Sequence, residues 1–526
     1  MNELLLGIDI GTASSKAVLV QPDGQVVALA SRDHAVSMPR PGWVEHDAET
    51  IWWSDVVSLC RELLAPVADG RISGVCFSGI GPCVVPCDTR DTPLRPAILY
   101  GVDTRASAEV DELTELLGAD QILRRCGSSL SSQALGPKLA WLRNNEPAVW
   151  TATERWHMAS SFVVARLTGE WILDHHSASQ CDPLYDLVQC GWNYDWAELV
   201  APGLSLPPLA WPGEVVGRVR SASAEATGIP AGTPVVAGTI DSWAEAVSAG
   251  VRKPGELMLQ YGSTVFLVLG TDRLAPHPTF WTTRGVDPGS LTIAAGLATG
   301  GSLASWVREI VGRPSYETLL AEAALVHPGA EGLLILPYFA GERTPILDPH
   351  ARGTITGLSL RHDRAHIFRA ALEGVAFAIR HNLETMLAND TPELAVAVGG
   401  GTTNDLWLQI VSDVTGLTQT VPAVTVGASY GDALLAAEGV GLTPALSSWA
   451  QPAEVTSPNS ENDEVYYHLY SLYRDLYPAT REIQHALSDL ELPSSTLAMR
   501  PPPSGRGDVA RSAGDERTSE EAASVT

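Results

Sequence analysis

The sequence predicts a mixed α/β protein built from two domains. Its 526 residues are too many for one compact core. The chain opens with the order β-β-β-α-β, and helices and strands alternate later, which is typical of a mixed sheet covered by helices. A turn rich in glycine and hydroxyl residues lies between two apolar strands near residue 11 and again near residue 262. We interpret this recurrence as two halves of a duplicated fold.

The elements of the first half follow from apolar runs and turn residues. Apolar runs at residues 4–9, 16–21 and 25–31 predict three strands, with turn chemistry supplied by Pro22-Asp23-Gly24. A helix at 50–64 and a strand at 72–78 come next. The stretch from about Leu130 to Pro230 is rich in Trp, Pro and Gly and has no clear period. We expect this stretch to be an insertion that shapes a substrate cleft.

The second half repeats the pattern of strands, turns and helices. Residues 257–269 predict a hairpin that is interrupted at 262–264, and 334–339 predict another strand. Apolar positions at helical spacing predict a long helix over 366–386. A strand at 396–398 enters three glycines, and a helix over 406–415 follows. From Pro493 onward the chain is rich in Ser, Pro, Gly and charge, which predicts a disordered tail.

Composition excludes several classes of function. The formal net charge of -27 argues against binding to nucleic acid or anionic membranes, and any anion site must be built locally. No apolar run approaches the roughly 20 residues of a membrane helix. The N-terminus predicts a buried strand and not a signal peptide. Seven cysteines, an odd number, do not suggest a disulfide framework, so the cytoplasm is the expected compartment.

The first hairpin turn, from Asp9 to Lys16, is a candidate phosphate site. A carboxylate closes a buried strand, small residues including Thr12 and Ser14 form the turn, and a lysine begins the next strand. Such a turn directs N–H and hydroxyl groups at phosphate oxygens, and Asp9 could hold Mg²⁺ through its waters. The alternative is an ordinary hairpin turn.

Two later glycine-rich stretches share this character. Gly262-Ser263-Thr264 interrupts the second hairpin as the first turn interrupts its own, but without a carboxylate. Gly399-Gly400-Gly401 leads into a helix at Asn404, and glycines there allow a flat ligand to approach the backbone. The spacing is not that of a dinucleotide fingerprint. The alternative for this stretch is a simple helix-entry turn.

Asp241 is the candidate catalytic base. It follows the apolar run 235–238 and enters a helix, a position that points into the cleft of an α/β sheet. A carboxylate there can take the proton from a sugar hydroxyl as it attacks a γ-phosphate. Phosphoryl transfer needs little beyond positioning and charge neutralisation. The alternative for Asp241 is a helix N-cap.

Taken together, these motifs resemble the actin-like ATPase superfamily and, within it, the xylulokinase-like branch of the FGGY carbohydrate kinases. The order of the turns and of Asp241 is similar to that superfamily. The further similarities to FGGY kinases are Pro41-Gly42-Trp43-Val44-Glu45-His46-Asp47 with Trp52-Trp53, Gly136-Pro137-Lys138-Leu139-Ala140-Trp141-Leu142, Leu336-Pro337-Tyr338 with Gly341-Glu342-Arg343-Thr344-Pro345, and the run 353–373. The resemblance covers about residues 4–480.

The resemblance implies two actin-like (ribonuclease H-like) domains with an interdomain cleft, over 1–246 and 247–485, before a tail at 486–526. It implies an ATP- and Mg²⁺-dependent kinase in which Asp241 is the base and Asp9 lies near the metal and the γ-phosphate. The positions that match nucleotide and phosphate contacts are Thr12, Ser14, Lys16, Gly262, Ser263, Gly300, Gly301, Gly400 and Asn404. A homodimer is expected from the family alone.

The sugar site departs from the family pattern. Gly81-Pro82 stands where xylulokinases carry Met-His, and within residues 99–105 the run from Tyr100 to Arg105 replaces the usual W-N-D-G-R with one residue more. Asp103 and Arg105 remain candidates to reach the sugar, with a helix cap and a surface charge as the alternatives. A ketopentose such as D-xylulose, phosphorylated at the 5-position, is the leading substrate. A kinase for another ketose, a polyol or a signalling carbohydrate, and a nucleotide-binding regulator without turnover, stay open.

Overall fold

The structure is a computed structural model that describes residues 3–67, 71–387, 391–442 and 446–490. The strands of the first half are β1 (Glu3–Ile10), β2 (Ser14–Val20), β3 (Val26–Asp33), β4 (Glu45–His46), β5 (Arg71–Gly79), β6 (Val85–Cys87), β7 (Ala97–Ile98), β8 (Arg155–His157), β9 (Leu173–Asp174), β10 (Tyr185–Asp186), β11 (Gly191–Trp192), β12 (Leu209–Ala210), β13 (Val215–Arg218) and β14 (Pro234–Val236). The helices of this half are α1 (Ser54–Leu64), α2 (Ser107–Leu117), α3 (Ala119–Cys126), α4 (Leu135–Asn145), α5 (Pro147–Ala152), α6 (Ala159–Thr168), α7 (His175–Ala178), α8 (Tyr194–Val200), α9 (Ser221–Thr227) and α10 (Asp241–Ser248).

A six-stranded sheet forms the centre of the first half, in the order β13-β14-β5-β1-β2-β3. The strands β1, β2 and β3 form the antiparallel meander that the sequence predicts, and β1, β5 and β14 run parallel. β1 is buried along nearly its whole length because it is a central strand of a sheet on which helices, among them α1 and α15, pack. The predicted helix over 50–64 begins earlier than expected, with a wider helical turn over Ala48–Trp53 that leads into α1.

The second half contains a seven-stranded sheet in the order β17-β18-β16-β15-β21-β22-β23. Its strands, with the short β19 and β20, are β15 (Glu256–Tyr261), β16 (Val265–Thr271), β17 (Trp281–Arg284), β18 (Leu291–Leu297), β19 (Leu334–Leu336), β20 (Thr354–Thr356), β21 (Leu394–Val398), β22 (Gln419–Pro422) and β23 (Pro452–Thr456). The helices are α11 (Gly301–Ile310), α12 (Tyr316–Ala324), α13 (Arg364–Leu387), α14 (Asp405–Thr415), α15 (Ala428–Gly439), α16 (Leu446–Trp449) and α17 (Asp463–Ser488).

The two sheets share one topology. In the first, the hairpin β1–β2 is extended by antiparallel β3 on one side and by parallel β5 and β14 on the other. In the second, the hairpin β15–β16 is extended by antiparallel β18 and by parallel β21 and β22. The predicted duplication is therefore confirmed, and the fold is a two-domain α/β arrangement.

Helices α10 and α15 pack between the two sheets and join the halves. A shared apolar core contains side chains from both sheets and from α15, among them Val18, Val236, Met258, Val268 and Leu434. A glycine in α15 permits the close contact between α10 and α15. A Cβ atom on Gly431 of α15 would lie 1.9 Å from the carbonyl oxygen of Ala244 in α10, so only glycine allows the two helices to approach this closely.

Residues up to Asp489 form one continuous packing unit. The predicted boundary between 246 and 247 falls within α10, and the domain limits 1–246 and 247–485 stay a prediction. The predicted tail 486–526 begins too early, because α17 extends to Ser488. Residues 491–526 lie outside the described part of the chain. The predicted insertion contains α4 to α9 and only short strands until β13.

None of the helices within the described residues combines the length and the apolar composition that a membrane span requires. All seven cysteines belong to the described part of the chain, and all are free thiols. Six of them are buried, and Cys190 is half-buried. This agrees with the absence of a disulfide framework that the odd cysteine count predicts.

The contact between α10 and α15 gives a test of the packing. Gly431→Ala should destabilise the protein by about 1–3 kcal/mol, because the methyl group must push one helix backbone off the other. Thermal unfolding measures the shift. Gly191→Ala is the control, because a Cβ atom there meets no heavy atom within 4 Å. Equal unfolding midpoints for the two variants would contradict the packing described here.

Candidate active site

The ends of three strands meet where the predicted catalytic residues lie. The Ile80 amide, just after β5, donates to the Ile10 carbonyl at the end of β1 over 2.8 Å. The Gly79 amide donates to the carbonyl of Thr239, between β14 and α10, over 3.2 Å. Because parallel strands end at the same edge of a sheet, these bonds gather Asp9, Ser78 and Asp241 at one place.

Asp9 lies near the end of β1 and is half-buried. The Ser78 hydroxyl lies 3.2 Å from Asp9 Oδ1, within range to donate to it. Burial raises the pKa of Asp9 to about 8, and the charge of Asp241 adds to this effect. Lys16, directly opposite Asp9 in the β1–β2 ladder, acts in the other direction and favours the ionised form. The structure thus brings Asp9 and Lys16 together, as the sequence predicts.

Asp241 is the first residue of α10. The Ser242 amide donates to Asp241 Oδ1 over 2.7 Å, and the side chain caps no later amide, so the N-cap alternative does not hold. Burial raises the pKa of Asp241 to about 6. Above that pH the carboxylate is ionised and able to accept a proton, which is the state that a general base requires.

Glu245 is a third carboxyl at this site, and the sequence did not single it out. It lies four residues after Asp241, so the two share one face of α10. Burial, with the charge of Asp241 added, raises the pKa of Glu245 to about 7, and the Gln260 amide donates to its carboxylate. The signal available in the sequence was the i, i+4 spacing from the candidate base.

A fourth carboxyl, Asp432 of α15, reaches this site from the other half of the chain. It is fully buried, and its Oδ2 lies 3.0 Å from the Ser78 amide and 2.7 Å from the Ser78 hydroxyl. Burial raises the pKa of Asp432 well above its ordinary value, and the charge of Asp9 adds to the effect. Ser78 therefore connects α15 to Asp9.

The first hairpin turn faces the same place. The Gly11 amide donates to the Ser14 carbonyl and closes the turn over 3.0 Å. The hydroxyl oxygens of Thr12 and Tyr100 lie 3.0 Å apart. Thr12 and Ser14 are half-exposed and Lys16 is exposed, so all three remain accessible to a ligand. Their predicted phosphate contacts stay a prediction.

The second turn is built together with the start of α11. The amides of Gly300 and Ser302 donate to the Ser263 carbonyl over 2.8 and 3.1 Å, and the Gly301 amide donates to the Gly262 carbonyl over 2.9 Å. A Cβ atom at Gly300 would lie 2.8 Å from the Thr264 backbone. The four glycine and serine positions predicted to bind nucleotide in this region thus form one structural unit.

The third glycine-rich stretch lies between β21 and α14. Gly400 is exposed, and a Cβ atom there meets no heavy atom within 4 Å, so its surface is open to a flat ligand. Asn404 caps α14, where its Oδ1 accepts the Trp407 amide over 3.0 Å. The capping role is shown, and the contact of Asn404 with nucleotide stays a prediction.

Gly81 and Pro82 lie directly beside the candidate base. A Cβ atom on Gly81 would lie 2.6 Å from the side chain of Ile240, the residue before Asp241. The peptide bond between Gly81 and Pro82 is cis. The loop that departs from the family pattern therefore packs against the residue that positions the base.

Asp103 occupies a different environment from the one that the sequence predicts. Its carboxylate accepts the Val44 amide over 2.7 Å and pairs with Arg105, and both side chains are fully buried. Arg105 also pairs with Glu45 and lies over the ring of Trp43. The helix-cap and surface-charge alternatives do not hold, and the contact of Asp103 with sugar stays a prediction. Asp103 supports the loop, and its position does not favour the predicted contact with sugar.

In the sequence Arg343 stands out only as part of a family motif, and the structure shows which residues it lies near. It lies close enough to Tyr100 for its charge to act on the pKa of that phenol, and Asp241 acts on Tyr100 as well. The guanidinium forms no ion pair within the described residues. Neighbouring Glu342 instead accepts the amides of Ala298 and Arg343 through Oε1, each over 2.8 Å. Arg343 thus adds a cation to the cleft.

Two duplicated sheets, with two phosphate-type turns and a carboxylate at the junction of the halves, define a two-domain kinase of the actin-like fold. Family models agree. The model described as FGGY family of carbohydrate kinases, N-terminal domain, matches residues 4–248, and its C-terminal counterpart matches residues 257–439. The chain therefore belongs to the FGGY family of carbohydrate kinases, which use ATP as the phosphoryl donor.

Individual relatives span nearly the whole chain. A xylulose kinase from Lactococcus lactis subsp. lactis (strain IL1403) is 29% identical over 498 residues, covering 92% of this chain and 98% of the relative. A glycerol kinase from Janthinobacterium sp. (strain Marseille) is 30% identical over 483 residues, covering 87% and 93%. The crystal structure of xylulose kinase from Rhodospirillum rubrum superposes with a TM-score of 0.85 at 32% identity, covering 92% of this chain and all of that one.

Buried carboxyls should make stability depend on pH. Burial raises the pKa of Glu342 to about 8, so between its ordinary pKa and pH 8 the folded state keeps a proton that the unfolded chain has released. Stability should therefore fall as the pH rises from 6 to 8. Glu342→Gln should reduce that fall in thermal unfolding, whereas Glu454→Gln, at an exposed position, should not. A Glu342→Gln profile identical to wild type would contradict the assignment.

Proposed function

We propose that this protein transfers the γ-phosphate of ATP to a hydroxyl of a small sugar, with a ketopentose such as D-xylulose, phosphorylated at the 5-position, as the leading substrate. The observation that carries the proposal is the junction of strand ends that sets Asp241 beside Asp9 and the first phosphate turn. The xylulose kinase relatives, aligned over more than nine-tenths of the chain, favour that sugar.

In the proposed reaction Asp241 acts as general base. The Asp241 carboxylate takes the hydroxyl proton of the sugar as the sugar oxygen bonds to the γ-phosphorus. The bond from that phosphorus to the β–γ bridging oxygen breaks, and ADP leaves with the electron pair. The Ser242 amide fixes Oδ1 of Asp241, so Oδ2 is the oxygen that faces the substrate. Removal of such a base typically costs roughly 10²–10⁴-fold in rate.

We propose that the first turn, with Thr12, Ser14 and Lys16, and the second turn, with Gly262, Ser263, Gly300 and Gly301, hold the phosphates. The turns supply backbone amides and hydroxyls, and Lys16 supplies a charge. Gly400 and Asn404 would contact the nucleoside end of ATP. Their support is the open surface at Gly400 and the place of this stretch at a strand end.

A magnesium ion fits the carboxylates of this site. The charge of Asp241 raises the pKa values of Asp9 and Glu245, and the charge of Lys16 offsets only part of this effect, so negative charge is crowded here. Asp9 would hold the ion, since Mg²⁺ is usually bound through one or two carboxylates together with substrate phosphates. When bound, it would neutralise charge on the transferred phosphoryl group.

The loop at Gly81 and Pro82 bears on the choice of sugar. Gly81 and Pro82 offer no imidazole donor at the position beside Ile240, so the pocket differs from the family pattern where the substrate lies. The glycerol kinase relative makes a polyol the second candidate. We also infer a cytoplasmic enzyme from its free thiols, and a homodimer from family habit.

The substrate and the base are tested together. Purified protein with Mg-ATP is assayed for ADP release against a panel of ketopentoses, other ketoses, polyols, glycerol and gluconate. D-xylulose should give the highest kcat/KM, and Asp241→Asn should lower kcat roughly 10²–10⁴-fold with ADP affinity kept. Thr227→Ala, at a buried position on α9 away from the turns, serves as the matched control.

The outcomes separate the candidates. Turnover of a polyol in place of D-xylulose would replace the leading substrate and keep the kinase. Nucleotide binding with no turnover of any member of the panel would favour the regulator. Full activity of Asp241→Asn would remove Asp241 from the role of base.

The pH dependence of the reaction gives a separate test. Because the pKa of Asp241 is about 6 and its ionised form is the base, kcat/KM should fall as the pH drops through 6. Glu245, with a pKa of about 7, is mostly protonated and uncharged at pH 6, so Glu245→Gln should leave the acid limb where it is. A limb displaced to lower pH in Glu245→Gln would show that Glu245 is ionised before Asp241 and would contradict this order of titration.

A further inference from the structure

Two buried histidines lie beneath the first phosphate turn, and the proposed reaction uses neither. His34 follows directly after β3, and His46 belongs to β4. Their rings meet edge to face with centroids 5.0 Å apart. The side chain of His34 is only 7% exposed. The hydrogen bonds of this buried pair determine which of the two rings carries a charge.

His34 contacts the turn and α1 through its two ring nitrogens. Nε2 lies 3.1 Å from the Gly11 carbonyl oxygen, and Nδ1 lies 2.9 Å from Asp55 Oδ2. The same Oδ2 also accepts the Ser15 hydroxyl over 2.8 Å. The backbone amide of His34 adds a bond to the Ala13 carbonyl over 2.9 Å. His34 therefore binds the turn at two carbonyls.

Counting donors and acceptors assigns the charge on His34. A carbonyl oxygen only accepts, so Nε2 must carry a proton. Asp55 Oδ2 already accepts from Ser15 and serves as a carboxylate acceptor, so Nδ1 donates as well. An imidazole that donates from both nitrogens is a cation, and the Asp55 carboxylate balances its charge.

His46 is the neutral member of the pair. The Trp52 indole donates to His46 Nδ1 over 3.1 Å, so the ring proton resides on Nε2. Burial lowers the pKa of His46 to about 4, and the nearby charge of His34 acts in the same direction. One positive charge, on His34, therefore lies under the turn.

This arrangement determines which way the turn faces. The carbonyls of Gly11 and Ala13 point back to His34, and backbone carbonyls held on one side leave amides to face the other. As a charged donor, the His34 ring also strengthens its hydrogen bond to the Gly11 carbonyl. Both effects favour phosphate oxygens in front of the turn.

We propose that His34 is a cationic positioning residue of the nucleotide site, which holds the first turn in its phosphate-binding shape through its bonds to the Gly11 and Ala13 carbonyls. The ligand class is a nucleoside triphosphate or diphosphate with its terminal phosphates at residues 11–14. This inference rests on the proposed function for the identity of that ligand. It does not depend on which sugar is the acceptor.

Substitution of His34 tests the role. His34→Gln keeps one side-chain donor and removes the charge, so ATP binding measured by calorimetry without sugar should weaken roughly tenfold. The KM for ATP should rise in proportion, and the KM for the sugar should stay unchanged. His327→Gln, at an exposed position, is the matched control and should bind ATP as the wild type does. Equal binding by His34→Gln and wild type overturns the proposal.

Asp55→Asn gives a second variant that leaves the histidine in place. It removes the carboxylate that stabilises the His34 cation, so the charged donor to the Gly11 carbonyl is lost and ATP binding should weaken to a similar extent. The double variant should bind no more weakly than His34→Gln alone, because both changes remove one charged pair. Additive losses overturn the shared mechanism. Thermal unfolding of each variant identifies any loss that comes from misfolding.

The charge itself is observable. In protein labelled with ¹⁵N-histidine, both ring nitrogens of His34 should carry protons at neutral pH, whereas His46 should carry a proton on Nε2 alone. The missing signal in His34→Gln assigns the resonances. A neutral His34 overturns the proposal even if the substitution weakens binding. Wild-type protein that binds no nucleotide overturns this inference and the proposed function together, whereas nucleotide binding without sugar turnover overturns the proposed function alone.

Discussion

One hydrogen bond, from the Ile80 amide to the Ile10 carbonyl, joins the ends of β1 and β5, and the active site depends on this junction. Each functional carboxyl lies within two residues of such a junction: Asp9 precedes Ile10, and Asp241 follows the Thr239 carbonyl that accepts from Gly79. Because the strands are parallel and buried, their ends are fixed by the whole sheet. The geometry of the base is therefore a property of the first domain as a unit.

A shortage of positive charge at this junction determines its electrostatics. Asp9, Asp241 and Glu245 lie close enough to affect one another, and burial raises the pKa of each to between about 6 and 8. Among the described residues, the basic side chains whose charges act here are exposed Lys16, which acts on Asp9, and Arg343, which acts on Tyr100. A site of this composition keeps protons when it is empty, and it favours an anion only at the turns, where amides and cations face outward.

The sequence predicts the duplicated sheets and most of the site, because both depend on local pattern. Apolar runs broken by turns define the hairpins β1–β2 and β15–β16, and Asp9 and Asp241 stand at strand ends that periodicity reveals. What the sequence does not show depends on pairing across the fold. Asp103 has the spacing of a substrate contact, yet it pairs with Arg105 in a buried cluster. Asp432 is 354 residues from Ser78 and contacts it only because α15 packs on the first sheet.

The contact between Ser78 and Asp432 connects the two halves of the chain at the active site. Ser78 has one hydroxyl proton and two carboxyls within reach, Asp9 at 3.2 Å and Asp432 at 2.7 Å. The Ser78 proton is donated to only one of these carboxyls at a time. If Asp432 is itself protonated, it donates to the Ser78 oxygen, and the Ser78 proton is then available to Asp9. Full burial, with no cationic partner in the part of the chain that the structure describes, favours the protonated form of Asp432. A change of charge at Asp9 thus alters a hydrogen bond made by α15, so events at the phosphate site reach the helix that joins the two sheets.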